Sequence, residues 1–289
     1  MKTIDKDVLA GYNAGIEKNR LREGLGLIEF ERTKEILLAL LPPAPAVIYD
    51  IGGGYGEYAY FLTALGYEVH LYDLSEKNIE ISLEFGKECG LALKTAEVAD
   101  ARSIDRPDAS ADAILLFGPL YHIVKYNERQ LCLKECYRLL KPGGLLFAAA
   151  ITPYATTLWA VTTYDQNALL DEGAFCEMLE TEIKTGDHIK NPASRYRGMG
   201  RSYFHLPEEL KGEIEAAGFC KADVRGAIGP CWLIPNLDEV WKDEKKRESI
   251  MKIVRLCDRE ESIMGLSTHI LGIAGKRNSR SCSQTRPGK

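Results

Sequence analysis

The stretch VIYDIGGGYGEYAYFLTALG, Val47 to Gly66, decides how the rest of the chain is read. A short apolar run meets alternating glycines at Gly52, Gly54 and Gly56. An amphipathic segment follows, with Tyr58, Phe61, Leu62 and Leu65 at i, i+3, i+4 and i+7. That pattern predicts a strand, a tight turn and a helix stopped by Gly66. A dinucleotide loop of the G-x-G-x-x-G type needs its third glycine where Glu57 stands, and no G-K-[ST] follows as a P-loop requires.

Upstream, Ile28, Arg32, Ile36 and Leu40 recur every four residues, which predicts a helix that LPPAP ends near Leu41. Downstream, strands and helices alternate. EVHLYD (68–73) reads as a strand, Asn78 to Cys89 as a helix closed by Gly90, and LKTAEVAD (93–100) as a weaker strand. DAILLFG (112–118) is apolar enough for a strand buried on both faces. ERQLCLKECYRLL is helical, KPGG breaks it, and LLFAAAIT is a fifth strand. Such alternation predicts a parallel, doubly wound α/β sheet. After Thr152 the pattern changes. Residues 153–204 mix helical stretches with a polar, basic loop and read as an insertion over the sheet. LPEELKGEIEAAGF is a helix, and CKADVRGAI and STHILGIAGK are two further strands separated by a helix from about Leu237 to Ser262.

Composition narrows the function. The chain has 289 residues, a net charge of -5 and 27% charged residues, so it offers no electrostatic footprint for nucleic acid. No apolar run approaches a membrane span and the N-terminus lacks an apolar leader segment, so a cytoplasmic location is expected. The eight cysteines include no CxxC, and no two histidines share metal-ligand spacing, so no metal is expected. KRNSRSCSQTRPGK at the C-terminus reads as a disordered basic tail.

The glycine turn gains meaning from acidic residues at strand ends. Asp50 stands two residues before Gly52. Asp73 closes the next strand, about twenty residues on, where a carboxylate accepts bonds from ribose hydroxyls. Asp100 closes the third strand, within reach of an adenine amino group, and FGPLYH follows the fourth. In order and spacing, VIYDIGGGYGEYA, VHLYDLS, VADARSI, DAILLFGPLYHI and ECYRLLKPGGLLF together resemble the class I S-adenosylmethionine-dependent methyltransferases, in their small-molecule branch. The resemblance covers about Glu29 to Gly144 well and the remainder loosely.

That resemblance implies a Rossmann-like, seven-stranded sheet whose last strand, STHILGIAGK, is antiparallel. It implies a helical cap at 1–45, a methyltransferase domain at 46–275 with 153–204 as a substrate lid, and a tail at 276–289. Gly52, Gly54 and Gly56 would admit the methionine and ribose part of S-adenosylmethionine, with S-adenosylhomocysteine as product. Asp50 would hold the loop or the cofactor's amino group, Asp73 the ribose, and Asp100 and Ala101 the adenine. Leu74 would lie on the adenine face, and Phe117 and Gly118 beside the methyl group. His122, with Tyr121, is a candidate base because imidazole titrates near neutrality. Tyr12, Arg195 and Arg197 are candidate substrate contacts, the arginines because a guanidinium binds carboxylate or phosphate in bidentate fashion. Nucleic-acid methylation is disfavoured, since GPLY replaces the [DNS]-P-P-[YF] tetrad after the fourth strand. The expected activity is methyl transfer to a small-molecule N, O, S or C acceptor. A non-catalytic binder of the same cofactor and a nicotinamide-dependent oxidoreductase are the alternatives.

Overall fold

The computed structural model describes residues 20–278, so Tyr12 and most of the basic tail lie outside the described residues. Seven strands form the main sheet: β1 Val47–Ile51, β2 Glu68–Asp73, β3 Thr95–Val98, β4 Ala111–Leu116, β5 Leu140–Ile151, β6 Cys220–Gly226 and β7 His269–Gly275. Their order is β3-β2-β1-β4-β5-β7-β6. The first five run parallel, and β7 runs antiparallel to both β5 and β6. The expected doubly wound sheet with an antiparallel last strand is therefore present, with that strand in the interior of the sheet.

Alternation along the buried strands splits the core into two layers, because successive side chains leave a strand on opposite faces. Ile48, Leu71, Ala113, Leu115 and Phe147 pack against α1 (Leu25–Leu40), α2 (Glu57–Ala64) and α3 (Glu76–Cys89). Tyr49, Ile51, Tyr72, Ile114, Leu116 and Ala148 pack on the other face. After α4 (Pro119–His122), that face is covered by α5 (Tyr126–Leu139), with Cys132, Leu133 and Cys136 fully buried, and by Leu210 and Ile214 further on. By the same alternation Asp50 falls on the face of Ile48, under α2, rather than in the open.

The KPGG sequence does not stand outside the fifth strand as expected. β5 begins at Leu140, and the irregularity appears as a register shift: Ala111 pairs with Leu140, Ala113 with Leu145. Gly143 adopts φ +84°, and a side chain on Gly144 would come within 2.9 Å of the Asp112 carbonyl oxygen, so the bulge needs both glycines.

Residues 153–204 carry α6 (Ala155–Thr162), α7 (Tyr164–Asn167) and α8 (Gly173–Thr185). They build a small core of their own from Ala160, Leu169, Phe175, Met178 and Leu179. A buried His188–Glu182 contact of 2.6 Å ties the segment just after α8 back onto that helix. Then come α9 (Pro207–Ala216), α10 (Leu237–Trp241) and α11 (Glu244–Cys257). The single helix expected from Leu237 to Ser262 is thus broken. Asp243 accepts from the backbone N–H groups of Lys245 (3.0 Å) and Lys246 (3.2 Å) and starts a new helix.

Candidate active site

The loop after β1 is tied to the end of β2. The N–H of Gly52 donates to the Tyr72 carbonyl at 2.7 Å, and the N–H of Gly54 donates to Asp73 Oδ2 at 2.9 Å. Gly52 (φ +73°) and Gly54 (φ +57°) both sit in the left-handed region. A side chain on Gly52 would strike the Pro119 ring at 2.5 Å, whereas the same position on Gly54 meets nothing within 4 Å. Gly52 therefore serves a close approach between strand ends, and Gly54 keeps the loop open.

Asp73 is fixed by backbone and helix start together. Its Oδ1 accepts from the Ser75 N–H (2.8 Å) and from Asn78 Nδ2 (3.1 Å), while the Ser75 hydroxyl caps α3. The capping role and a role towards a ligand are thus compatible: the carboxylate is held and still borders the cavity.

That cavity, ≈ 310 Å³, lies beyond the C-terminal ends of β1 to β4. Ligands bind there in open α/β sheets. Of the residues expected from sequence, Gly52, Gly54, Asp73, Leu74, Asp100, Ala101, Phe117, Gly118, Tyr121 and His122 all border it. Phe117 rests edge-on against Tyr58, ring centres 5.0 Å apart. Asp50 and Gly56 stand behind the wall. Gly56 is the N-cap of α2 at φ +80°, and a side chain there would meet the Ser82 hydroxyl at 2.8 Å. Asp50 is fully buried, and neither carboxylate oxygen has a hydrogen-bond partner among the described residues. Burial, reinforced by the charge of Asp73, pushes its carboxyl up to about 7.

The Asp100 end of the cavity differs from expectation in one respect. Asp100 does not present a bare carboxylate: Arg102 Nε and Nη2 donate to it at 2.9 and 2.8 Å, and Arg102 Nη1 donates to Glu128 at 2.6 Å. Arg102 and Glu128 border the cavity as well. The candidate substrate arginines also find other partners. Arg195 pairs with Glu172 and donates to the Asn167 carbonyl at 3.2 Å. Arg197 Nη1 donates to the carbonyls of Ser194 (2.8 Å) and Tyr196 (2.9 Å). Neither borders the cavity, whereas Arg201, four residues beyond Arg197, does.

Sequence reading missed Arg20, Gly53, Tyr58, Arg102 and Glu128. Arg20 grips Glu29 through two bonds of 2.8 and 3.2 Å and borders the cavity. Gly53 has an ordinary backbone, but a side chain there would meet Leu71 at 2.4 Å and the Asp50 carboxyl at 2.5 Å. The run of consecutive glycines was the available signal for Gly53. Nothing local marks Arg20, whose partner lies nine residues away.

An adenosine carrying a sulfonium fits these residues. The hydrogen-bonded Asp73 lies beside the open position on Gly54, apolar Phe117 and Leu74 border the cavity, and Asp73, Asp100 and Glu128 line it with carboxylates. Comparison with known proteins agrees. A methyltransferase-domain family model matches residues 49–148. A ubiquinone biosynthesis O-methyltransferase of Caulobacter vibrioides is 30% identical over 104 residues, which are 36% of this chain and 40% of that protein's length. One of the same description from Xanthomonas axonopodis pv. citri is 27% identical over 204 residues, 68% of this chain and 72% of its own. The crystal structure of a SAM-dependent methyltransferase from Methanosarcina mazei superposes with a TM-score of 0.54 at 20% identity, covering 84% of this chain and 97% of that one. Sheet order, loop, matched domain and relatives converge: residues 49–148 carry a methyltransferase domain, on the fold seen in S-adenosylmethionine-dependent methyltransferases.

Proposed function

We propose that the chain is an enzyme that moves the methyl group of S-adenosylmethionine to a small-molecule acceptor. The observation that carries this is the Gly54 N–H bonded to Asp73 at the mouth of a cavity running from the glycine loop to Asp100 and Ala101. When bound, the cofactor supplies a methyl group already activated by its sulfonium. The residues of the chain are then left to orient and to exclude water. Asp73 takes the ribose hydroxyls, Ala101 and the Asp100–Arg102 pair bound the adenine, and Gly52 and Gly54 admit the methionine part. Asp50, its carboxyl raised to about 7 beneath the loop, would be drawn to its charged form by a cationic ligand, and Gly56 sets the loop's exit into α2.

Arg20, Tyr121 and His122 stand at the rim, where an acceptor would approach. Residues 153–204 act as a lid over this end in our reading, with Arg201 facing the cofactor and with Arg195 and Arg197 holding the lid's own loop. A small acceptor rather than nucleic acid suits the net charge of -5, and the relatives named for ubiquinone biosynthesis support that choice. No helix of the described residues is long and apolar enough to cross a membrane. We place the enzyme in the cytoplasm because the cysteines of the described residues are all free thiols, as a reducing compartment leaves them.

Calorimetry with S-adenosylmethionine, S-adenosylhomocysteine and NAD tests the reading. The first two are expected to bind and NAD is not. Absence of binding by the first two overturns it. Transfer of labelled methyl to a metabolite panel then separates an enzyme from a mere binder.

A further inference from the structure

The insertion and the cofactor cavity meet at one buried cation. Arg129, on the first turn of α5, is 2% exposed, so its N–H groups need partners within the protein. Nη1 donates to the Ile123 carbonyl at 3.1 Å and to the Val124 carbonyl at 2.7 Å. Both residues border the cofactor cavity, in the link from α4 to α5. Nε and Nη2 donate to the Glu213 carboxylate of α9 at 2.9 and 2.6 Å, a forked grip. Gln130 Nε2 adds a bond of 2.9 Å to the Glu213 carbonyl. The guanidinium also lies over the Tyr203 ring, 3.8 Å from its centre.

Tyr203 belongs to the short strand Ser202–Tyr203 near the end of the insertion, which pairs with Asp187–His188. The chain beyond it is pinned in turn. The N–H of Phe204 donates to the Gly186 carbonyl at 2.7 Å, and that of His205 to the Ile151 carbonyl at 2.8 Å. Phe204 packs with Ile151 and Tyr121, and Tyr121 borders the cofactor cavity. On the other side of Ile151 and Phe204 a second cavity of ≈ 330 Å³ opens, bordered also by Trp159, Trp232 and His269. The strand under Arg129 thus leads into the partition between the two cavities.

Arg129 makes more contacts than charge balance requires. His205 is fully buried 3.5 Å from Glu213, and burial outweighs that carboxylate and holds the imidazole below its ordinary range. Arg129 is therefore the cation that balances Glu213. A buried ion pair adds little stability over an apolar pair of similar volume. What the guanidinium adds is geometry: one rigid plane fixes two carbonyls of the cavity wall, a carboxylate of α9 and a ring of the insertion. Lysine, a point charge on a flexible stem, cannot copy that arrangement.

We propose, resting on the methyl-transfer reading above, that Arg129 is a positioning residue that sets the Ile123–Val124 wall of the cofactor cavity and couples that wall to the insertion through Tyr203. A cofactor pressed against the wall steadies the two carbonyls. The guanidinium they hold then steadies the ring beneath it, and with it the strand that closes the insertion. The coupling runs both ways, so an insertion ordered by an acceptor tightens the hold on the cofactor.

The test uses the full chain and S-adenosylhomocysteine. Calorimetry reads affinity, and trypsin reads the insertion at its exposed Lys190, Arg195 and Arg197. In wild type, saturating ligand should slow cleavage there by about fivefold, as suppression of a local opening does. Arg129→Lys keeps the charge but loses the fork. Its affinity should fall about tenfold, the scale of one net hydrogen bond, and saturating ligand should change cleavage by less than about twofold. Tyr203→Leu removes only the ring under the guanidinium, and also serves where Arg129→Lys does not fold. It should keep affinity within about threefold and lose the protection. Glu182→Gln loosens the insertion at its buried contact with His188. It should speed cleavage of the free protein yet keep the protection, which separates coupling from mere loss of stability. Wild-type binding without protection, protection that survives Arg129→Lys or Tyr203→Leu, or its equal loss in Glu182→Gln overturns the proposal alone. Failure of S-adenosylhomocysteine to bind wild type overturns the methyl-transfer reading, and the proposal with it.

Discussion

The two sides of the sheet's C-terminal rim are built by different means. On the β1–β3 side, the cavity is bordered by the glycine loop and by carboxylates at strand ends, each placed by the strand that carries it. Asp73, Gly54 and Asp100 lie within one continuous run of the chain. On the β5–β7 side, the walls are side chains gathered from Ile151, Trp159, Phe204, Trp232 and His269, far apart in sequence. The contrast teaches that one cavity is held by local backbone geometry, while the other is assembled from side chains that meet only in the finished fold.

The sharpest way to break this contrast is Asp73→Ala. The carboxylate holds Gly54, Ser75 and Asn78 and, in the proposed reading, the ribose, so S-adenosylmethionine affinity should fall at least 100-fold by calorimetry, about 2.7 kcal/mol. Binding within a few-fold of wild type would show that the cofactor side is not organised as described. Next comes a pair at adjacent glycines. Gly53→Ala forces a methyl group into Leu71 and Asp50 and should cost about 1–3 kcal/mol in urea denaturation, as overpacking does. Gly54→Ala meets open space, so its stability cost should stay near the roughly 1 kcal/mol of a left-handed alanine, and its main effect should fall on cofactor affinity. Equal stability losses would remove the distinction between the two glycines.

Asp50→Asn gives a pH-dependent effect. The folded carboxyl is raised to about 7, far above its value in an unfolded chain. The native state therefore binds the proton more tightly, and the stability of the apo protein falls as pH rises from about 4 through 7. Asparagine does not titrate, so the variant should gain on wild type by about 2 kcal/mol between pH 5 and pH 7.5. A difference that does not change with pH would place the carboxyl at its ordinary value. The smallest effect is expected at Arg195→Ala, whose partner Glu172 is lost from an exposed pair. A change above about 1 kcal/mol in stability would contradict its surface role.

Most of the fold could be read because its period changes where the elements change. EVHLYD matches β2 residue for residue, and Gly66 and Gly90 end helices as their backbone freedom allows. The cofactor side was legible for the same reason: parallel strands put their last residues at one edge, so Asp73 and Asp100 meet once the strands are known. What escaped depends on pairing across distance. Nothing near Arg20 shows that Glu29 and then His269 will face it. The Asp100–Arg102–Glu128 cluster needs α5 in place before Glu128 arrives. The break at Asp243 was locally readable, since aspartate is a good helix cap and residues 242–249 carry no apolar side chain between Trp241 and Ile250.

The position of β7 has a further consequence, for the order in which the chain is completed. His269–Gly275 lies between β5 and β6 in the sheet, yet it is the last strand in sequence. Until those residues leave the ribosome, β5 and β6 have no partner between them, and the edge beyond β5 is an unpaired template open to other chains. Strands β1 to β5 and their crossovers can assemble from neighbouring segments during synthesis. The other half waits for a contact spanning more than a hundred residues, a slow kind of closure. A chain stopped shortly before His269 would thus carry a nearly finished cofactor side and an open sheet.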